Sequence, residues 1–331
     1  MFRLGIAGFR HGHIYSLYDT AQKNERIETV AFWEENAEAI IGAEKSRNIV
    51  FTHNSYQDML KDPNIDIIGI GNYYGARGRM AIEALKAGKH VIADKPLCTS
   101  LEELAEIKKI SEEKGLSIGL MLDLRHNKNV LAAKQVIAEG KLGEIHNIQF
   151  GGQHPLMYGE RPSWYFEDGK HGGVINDIAI HGVDLVSYLT GYRVEKIVGA
   201  RTWNAYAAEE PDFKDCGQFM LSLSNGAGVI ADISYSVPNS IGFNIPYYWE
   251  FKIWGKYGML AFSANTDGIQ LYLNGEKEVL NIPAVESEDN YLDAFLDEIE
   301  GKKSSLISSE EIFNSSKTTL LIQKCADGSI G

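Results

Sequence analysis

Two short runs of the sequence hold residues suited to moving protons. Lys95 stands in Ala93-Asp94-Lys95-Pro96, at the end of an apolar run. Asp177 and His181 stand four apart in Gly172-Gly173-Val174-Ile175-Asn176-Asp177-Ile178-Ala179-Ile180-His181-Gly182-Val183-Asp184. That spacing puts a carboxylate and an imidazole on one face of a helix. An imidazole titrates near neutral pH and can take a hydroxyl proton. An ammonium group can hydrogen-bond the same oxygen and steady the charge that develops on it. Beside a nucleotide that accepts hydride, such a set oxidises an alcohol. Taken singly, each is ordinary, since Lys-Pro at a strand end is commonly a solvated turn and an Asp/His pair commonly lies on a helix surface. Asp177, His181, Asp184, His154 and His171 also carry N and O donors. No His-Glu-x-x-His or cysteine-rich spacing accompanies them, so no metal is expected.

These residues need a scaffold, and residues 1–122 supply the pattern of one. Apolar runs at 2–7, 28–33, 50–51, 65–70, 90–93 and 117–121 read as strands, and amphipathic stretches between them read as helices. Ser100 is a natural cap for a helix over 101–114, which Gly115 closes. Strands alternating with helices predict a doubly wound parallel sheet, an α/β Rossmann domain. From residue 123 on, strand patterns follow one another, with Asn225-Gly226 and Asn274-Gly275 as hairpin turns. Residues 123–331 are therefore expected to form an α+β domain for substrate binding and oligomerisation, with a large open, mainly antiparallel sheet.

The turn after the first strand is Gly8-Phe9-Arg10-His11-Gly12-His13. A dinucleotide turn has glycine at three places, where backbone amides approach the pyrophosphate. Here only Gly8 fits, and Arg10 and His13 take the second and third places. Gly8, Phe9, Arg10 and His11 are expected to contact the cofactor, with Arg10 setting a cation beside phosphate. Glu34 ends the second strand, where a carboxylate holds the ribose hydroxyls and repels a 2′-phosphate. NAD is therefore expected rather than NADP.

The composition limits the alternatives. The chain has 331 residues, 44% of them hydrophobic and 23% charged, as a globular protein of two domains would. Its net charge of −13 argues against nucleic acid as a partner. No apolar run approaches the ~20 residues of a membrane span. The sequence enters a strand at once after Met1, and Cys98, Cys216 and Cys325 are scattered. A cytoplasmic location is expected from both features.

The run from Ala84 through Pro96, together with Gly172 through Asp184 and on to Tyr188-Leu189-Thr190-Gly191, resembles the Gfo/Idh/MocA family of glucose–fructose oxidoreductase and inositol dehydrogenase. The similarity runs over nearly the whole length. It implies a nicotinamide cofactor, a sugar, polyol or related substrate, and a catalytic Lys95, Asp177 and His181. Asp94 stands where the family usually has Glu, and it is placed with Lys95 among the cofactor-binding residues. The family often shows Pro-Asn and then His after the strand over 65–70. This chain has Asn72 and Tyr73, then Arg77 at the histidine place, in a loop expected against the cofactor. Arg125 matches a family arginine near substrate. Trp164 and Tyr165, just before the histidine helix, are expected to face the substrate with Asp177 and His181.

Three functions fit these residues. The first is an NAD(P)-dependent oxidoreductase acting on a hydroxyl or carbonyl group of a small hydroxylated molecule. The second is an NAD-assisted glycoside hydrolase of the same fold. The third is a dinucleotide-binding sensor without catalysis, which the presence of both Lys95 and His181 disfavours. A homodimer or homotetramer through the C-terminal sheet is expected, since an open sheet exposes one face.

Overall fold

The computed structural model describes residues 1–302 and 306–328. The chain divides into two compact units, each assembled from several stretches. The first comprises Met1–Leu122, Pro162–Gly172 and Asp289–Lys317; the second comprises Asp123–Arg161, Gly173–Glu288 and the residues from Thr318. One cut near residue 122 therefore does not separate them.

The first unit opens with β1 (Phe2–Ala7), α1 (Ile14–Ala21), β2 (Ile27–Trp33), α2 (Ala37–Arg47) and α3 (Tyr56–Lys61). It continues with β3 (Ile67–Ile70), α4 (Tyr74–Lys86), β4 (His90–Ala93), α5 (Leu101–Lys114) and β5 (Ile118–Leu120). The five strands lie in the order β2-β1-β3-β4-β5, all parallel. Every residue of β3 is buried, as a central strand covered on both faces requires. The Ser100 side chain accepts from the Glu103 amide at 3.1 Å and caps α5, and Gly115 closes that helix in the left-handed conformation.

Residues 50–51, expected as a brief strand, form none. Val50 is exposed, and only the Thr52 and His53 amides reach the carbonyl of Phe32, at 3.0 and 3.3 Å. Phe51 alone packs inward, beside Phe9, and one anchor is too little for an edge ladder.

The second unit contains α6 (Lys128–Ala138), β6 (Ile145–Pro155), α7 (Ile180–Thr190), β7 (Val194–Trp203), β8 (Cys216–Leu223) and β9 (Gly228–Val237). Then come β10 (Glu250–Gly255), β11 (Gly258–Phe262), β12 (Ile269–Leu273) and β13 (Leu280–Ile282). They form one eight-stranded sheet in the order β13-β12-β11-β10-β6-β9-β8-β7. All pairings are antiparallel except β6 with β9. Asn225-Gly226 joins β8 to β9 and Asn274-Gly275 joins β12 to β13, as hairpin turns should. Helix α7 lies close on β6: a Cβ added to Gly182 would stand 2.2 Å from the Phe150 ring.

Two helices end the described chain, α8 (Tyr291–Ile299) and α9 (Ser309–Ala326). Tyr291, Leu292, Phe295 and Leu296 of α8 join the core formed by Leu4, Ile6, Ile14, Leu17, Ile67 and Ile92. The parallel sheet thus gains apolar cover from residues far along the chain. Among the described residues, no helix is long and apolar enough to cross a membrane.

Candidate functional site

The turn between β1 and α1 is pinned at one end by a glycine that tolerates no substitute. Gly8 has φ +88°, and a Cβ there would lie 2.6 Å from the Asn72 amide nitrogen. The first amides of the turn are engaged internally. Gly8 donates to the Trp33 carbonyl (2.9 Å), and Arg10 and His11 both donate to the Gly71 carbonyl (3.1 and 3.2 Å). The Phe9 amide donates to the Glu34 carboxylate at 2.5 Å, and its ring is buried against Tyr15, Phe32 and Phe51. Gly12 and His13 then lead directly into α1, and the space around the Gly12 Cα is open. Glu34 also accepts from the amides of Glu35 (2.9 Å) and Asn36 (2.8 Å), so its carboxylate is fixed at the end of β2. A strand, a glycine turn, a helix N-terminus and a carboxylate at the second strand end suit a dinucleotide.

Asp94, at the end of β4, gathers the residues that fit the usual turn least. Its carboxylate lies 2.5 Å from His11 Nδ1 and 3.2 Å from His13 Nδ1, and it accepts from Arg77 Nη2 at 2.7 Å. Asp94 and Arg77 are fully buried, while the His13 side chain is 48% exposed. Burial pushes the His11 imidazole down to about 3, against the opposing pull of Asp94, so the ring is neutral at ordinary pH. The Asp94 carboxyl is held well below the usual carboxylate range. Its burial opposes this, but Arg77 and the two histidines outweigh it.

Tyr74, at the start of α4, extends this cluster. Its hydroxyl lies 3.1 Å from His11 Nε2 and 3.0 Å from the Tyr165 hydroxyl. Its ring packs edge-on against Trp164, whose Nε1 donates to the Arg10 carbonyl at 3.2 Å. Trp164 and Tyr165, expected at the substrate, are buried in the first unit beside the nucleotide turn. Tyr73 caps α4 under the Arg10 and Lys170 cations, with Arg10 Cζ 5.7 Å from its ring centroid. The Asn72 side chain accepts from the Tyr73 amide at 2.8 Å. Lys95 follows Asp94, is 4% exposed, and has its Nζ 6.0 Å from the Tyr74 ring centroid.

The second unit brings Asp177 and His181 into a buried group of their own. They do not share a regular α-helix: Ile175–Ala179 form a π-turn, and α7 begins at Ile180. Such turns insert one residue and re-aim side chains, often at functional sites. Asp177 accepts a short hydrogen bond from the Tyr235 hydroxyl. The Asp123 carboxylate, 59% exposed, lies 3.8 Å from His181 Nδ1. The Trp249 ring stands 5.6 Å from the imidazole. Arg125, expected near substrate, is buried and bonds both oxygens of Asp184, each at 2.7 Å. Burial and full pairing make that ion pair part of the scaffold of α7.

Sequence reasoning missed Tyr74, His13, Asp123 and Tyr235. Asp123 had a signal, since it is an acid just past the last parallel strand, where sites gather. Nothing in the spacing of Tyr74 and Tyr235 separates them from core tyrosines.

Known proteins share both units. The uncharacterized oxidoreductase YrbE of Bacillus subtilis is 28% identical over 191 residues, 57% of this chain and 54% of that protein. The D-xylose dehydrogenase of Paenarthrobacter nicotinovorans is 26% identical over 246 residues, 69% of this chain and 62% of that one. The chain thus spans from just over half to about three fifths of the length of these relatives. The crystal structure of the WlbA dehydrogenase from Bordetella pertussis, in complex with NADH and UDP-GlcNAcA, shares the fold. Its TM-score is 0.79 at 23% identity, over 99% of this chain and 97% of that chain. The oxidoreductase family with an NAD-binding Rossmann fold matches residues 2–121, and the Gfo/Idh/MocA C-terminal domain matches residues 130–261. With the parallel sheet, the Gly8 turn and the open sheet of the second unit behind those matches, the chain belongs to the Gfo/Idh/MocA family of oxidoreductases.

Proposed function

We propose that the protein is an NAD-preferring dehydrogenase acting on a CH–OH group of a small sugar, polyol or related molecule. The observation that carries this reading is the bond between His11 and Asp94. It ties the turn after β1 to the residue before Lys95, which supports a role for the lysine beside a bound dinucleotide. Bound NAD would supply the hydride acceptor. Lys95 donates a hydrogen bond from Nζ to the reacting oxygen. His181 takes the hydroxyl proton at Nε2, and the Asp123 carboxylate beside Nδ1 favours the imidazolium that forms. Asp177, held by Tyr235, binds a neighbouring hydroxyl or steadies the imidazole.

The fixed Glu34 carboxylate favours the ribose diol of NAD and repels a 2′-phosphate. Arg10 and His13 supply side chains toward the pyrophosphate, since the Phe9, Arg10 and His11 amides are engaged within the turn. A second copy of the chain covers the open face of the eight-stranded sheet, giving a homodimer or homotetramer in the cytoplasm.

The test is a panel of neutral sugars and polyols, including D-xylose and inositols, offered with NAD or NADP and followed by absorbance of the reduced cofactor. NADH should accumulate with at least one member. Lys95→Met and His181→Asn should each lower the rate by ~10²–10⁴-fold. Full turnover by both variants would overturn the assignment. Release of sugar from a glycoside without net NADH would favour the hydrolase instead.

A further inference from the structure

Arg77 stands on α4 at the place where a cofactor contact is expected, yet its guanidinium is fully enclosed. Nε donates to the Asn72 carbonyl at 2.8 Å. Nη1 lies 2.9, 2.5 and 3.2 Å from the carbonyls of Asp94, Lys95 and Pro96, and Nη2 donates to the Asp94 carboxylate at 2.7 Å. Three consecutive carbonyls therefore converge on one planar cation. The middle one belongs to Lys95.

This arrangement fixes the backbone from which the Lys95 side chain departs. A guanidinium presents five N–H groups in a rigid fork, whereas an ammonium is a single point. The second hold on the turn comes from His11. With its Nδ1–H given to Asp94, its Nε2 lone pair accepts the Tyr74 hydroxyl, and the Tyr74 hydroxyl accepts from Tyr165. The Tyr74 ring centroid lies 4.5 Å from Arg77 Cζ and 6.0 Å from Lys95 Nζ, so the ring packs on the guanidinium and stands at the outer limit of cation–π range from the ammonium.

We propose that Arg77 is a positioning residue for Lys95, acting through the carbonyls of the Asp94-Lys95-Pro96 turn, with His11 and Asp94 as its second anchor. The inference rests on the role given to Lys95 above. A competing reading exists for the same atoms. The donor atoms of His11, His13 and Asp94 lie within 4.8 Å of one another, close enough to share a metal ion. Arg77 already neutralises Asp94, so a divalent ion would add two uncompensated charges to a buried site. The hydrogen-bonded arrangement is therefore favoured.

The test reads Lys95 directly and needs no substrate. The intact protein is treated with acetic anhydride, and acetylation of Lys95 is followed by peptide mass spectrometry against exposed Lys109 as an internal reference. NADH binding, by quenching of tryptophan fluorescence, and the thermal midpoint are measured in parallel. Arg77→Lys should change the Lys95 rate by roughly tenfold or more while NADH affinity stays within about threefold. Where a substrate is in hand, kcat should fall with the KM for NAD unchanged. If Arg77→Lys lacks a cooperative unfolding transition, Asp94→Asn, equal in volume, should show the same change. Unchanged Lys95 reactivity in a folded variant would overturn the proposal. So would stoichiometric binding of Zn²⁺ or Ni²⁺ that His11→Ala abolishes, because the metal would take the nitrogen assigned here to Asp94. Absence of turnover on every substrate would count against the dehydrogenase reading alone, and the Lys95 labelling result would still decide this one.

Discussion

A histidine that stays neutral far below its ordinary pKa links the site to solution conditions. The unfolded chain binds a proton at His11 below pH 6.5, while the folded protein resists it down to about 3. The contribution of His11 to stability is therefore full above pH 6.5 and is lost as pH falls through that window. The thermal midpoint should drop between pH 7 and 5, and His11→Asn should flatten the slope by about one proton. On the proposed reading, Glu34→Ala takes away a ribose partner as well as the carboxylate that holds the Phe9, Glu35 and Asn36 amides. It should weaken NAD by about 10–100-fold and leave NADP no worse, as read by fluorescence titration. Lys95, Asp177 and His181 stand out in the sequence only through the two family-like runs that hold them, since each is ordinary taken singly. Asp123 and Tyr235 escaped because their partners lie 58 positions away in each case, a distance no local spacing reports.

At the level of elements, the 3.6 and 2.0 periods carry most of the fold, since each strand and helix shows the face it buries. The π-turn at Ile175–Ala179 leaves no such mark: its residues are buried all round, so one inserted position does not disturb any visible stripe. The failed strand at 50–51 shows the opposite error, in which two apolar residues imitate a ladder that needs burial on its exposed side. Close contacts give sharper predictions. Gly182→Ala would force α7 away from the Phe150 ring, at a cost of about 1–3 kcal/mol in urea unfolding. Phe295→Ala in α8 should remove about 3–5 kcal/mol, because its ring fills the core of the first unit.

For the whole molecule, the eight-stranded sheet presents Val198, Met220 and Ile230, each about half exposed, on its open side. Met220 and Ile230 are cross-strand neighbours of β8 and β9. If a second copy covers that face, Met220→Lys with Ile230→Lys should shift the mass seen by light scattering toward the monomer. The change from alternating to strand-rich pattern near residue 122 is visible in the sequence. The assignment of 162–172 and 289–317 to the first unit is not, because it depends on which apolar face each short segment finds.

The late position of α8 also bears on synthesis. Residues through β5, which ends at Leu120, are made 175 positions before Phe295, an interval on the order of ten seconds at ~5–20 residues per second. Throughout that interval the nascent parallel sheet lacks one of its covers. Translation arrested between these points should yield a protease-sensitive, chaperone-bound chain, and extension past residue 317 should release it.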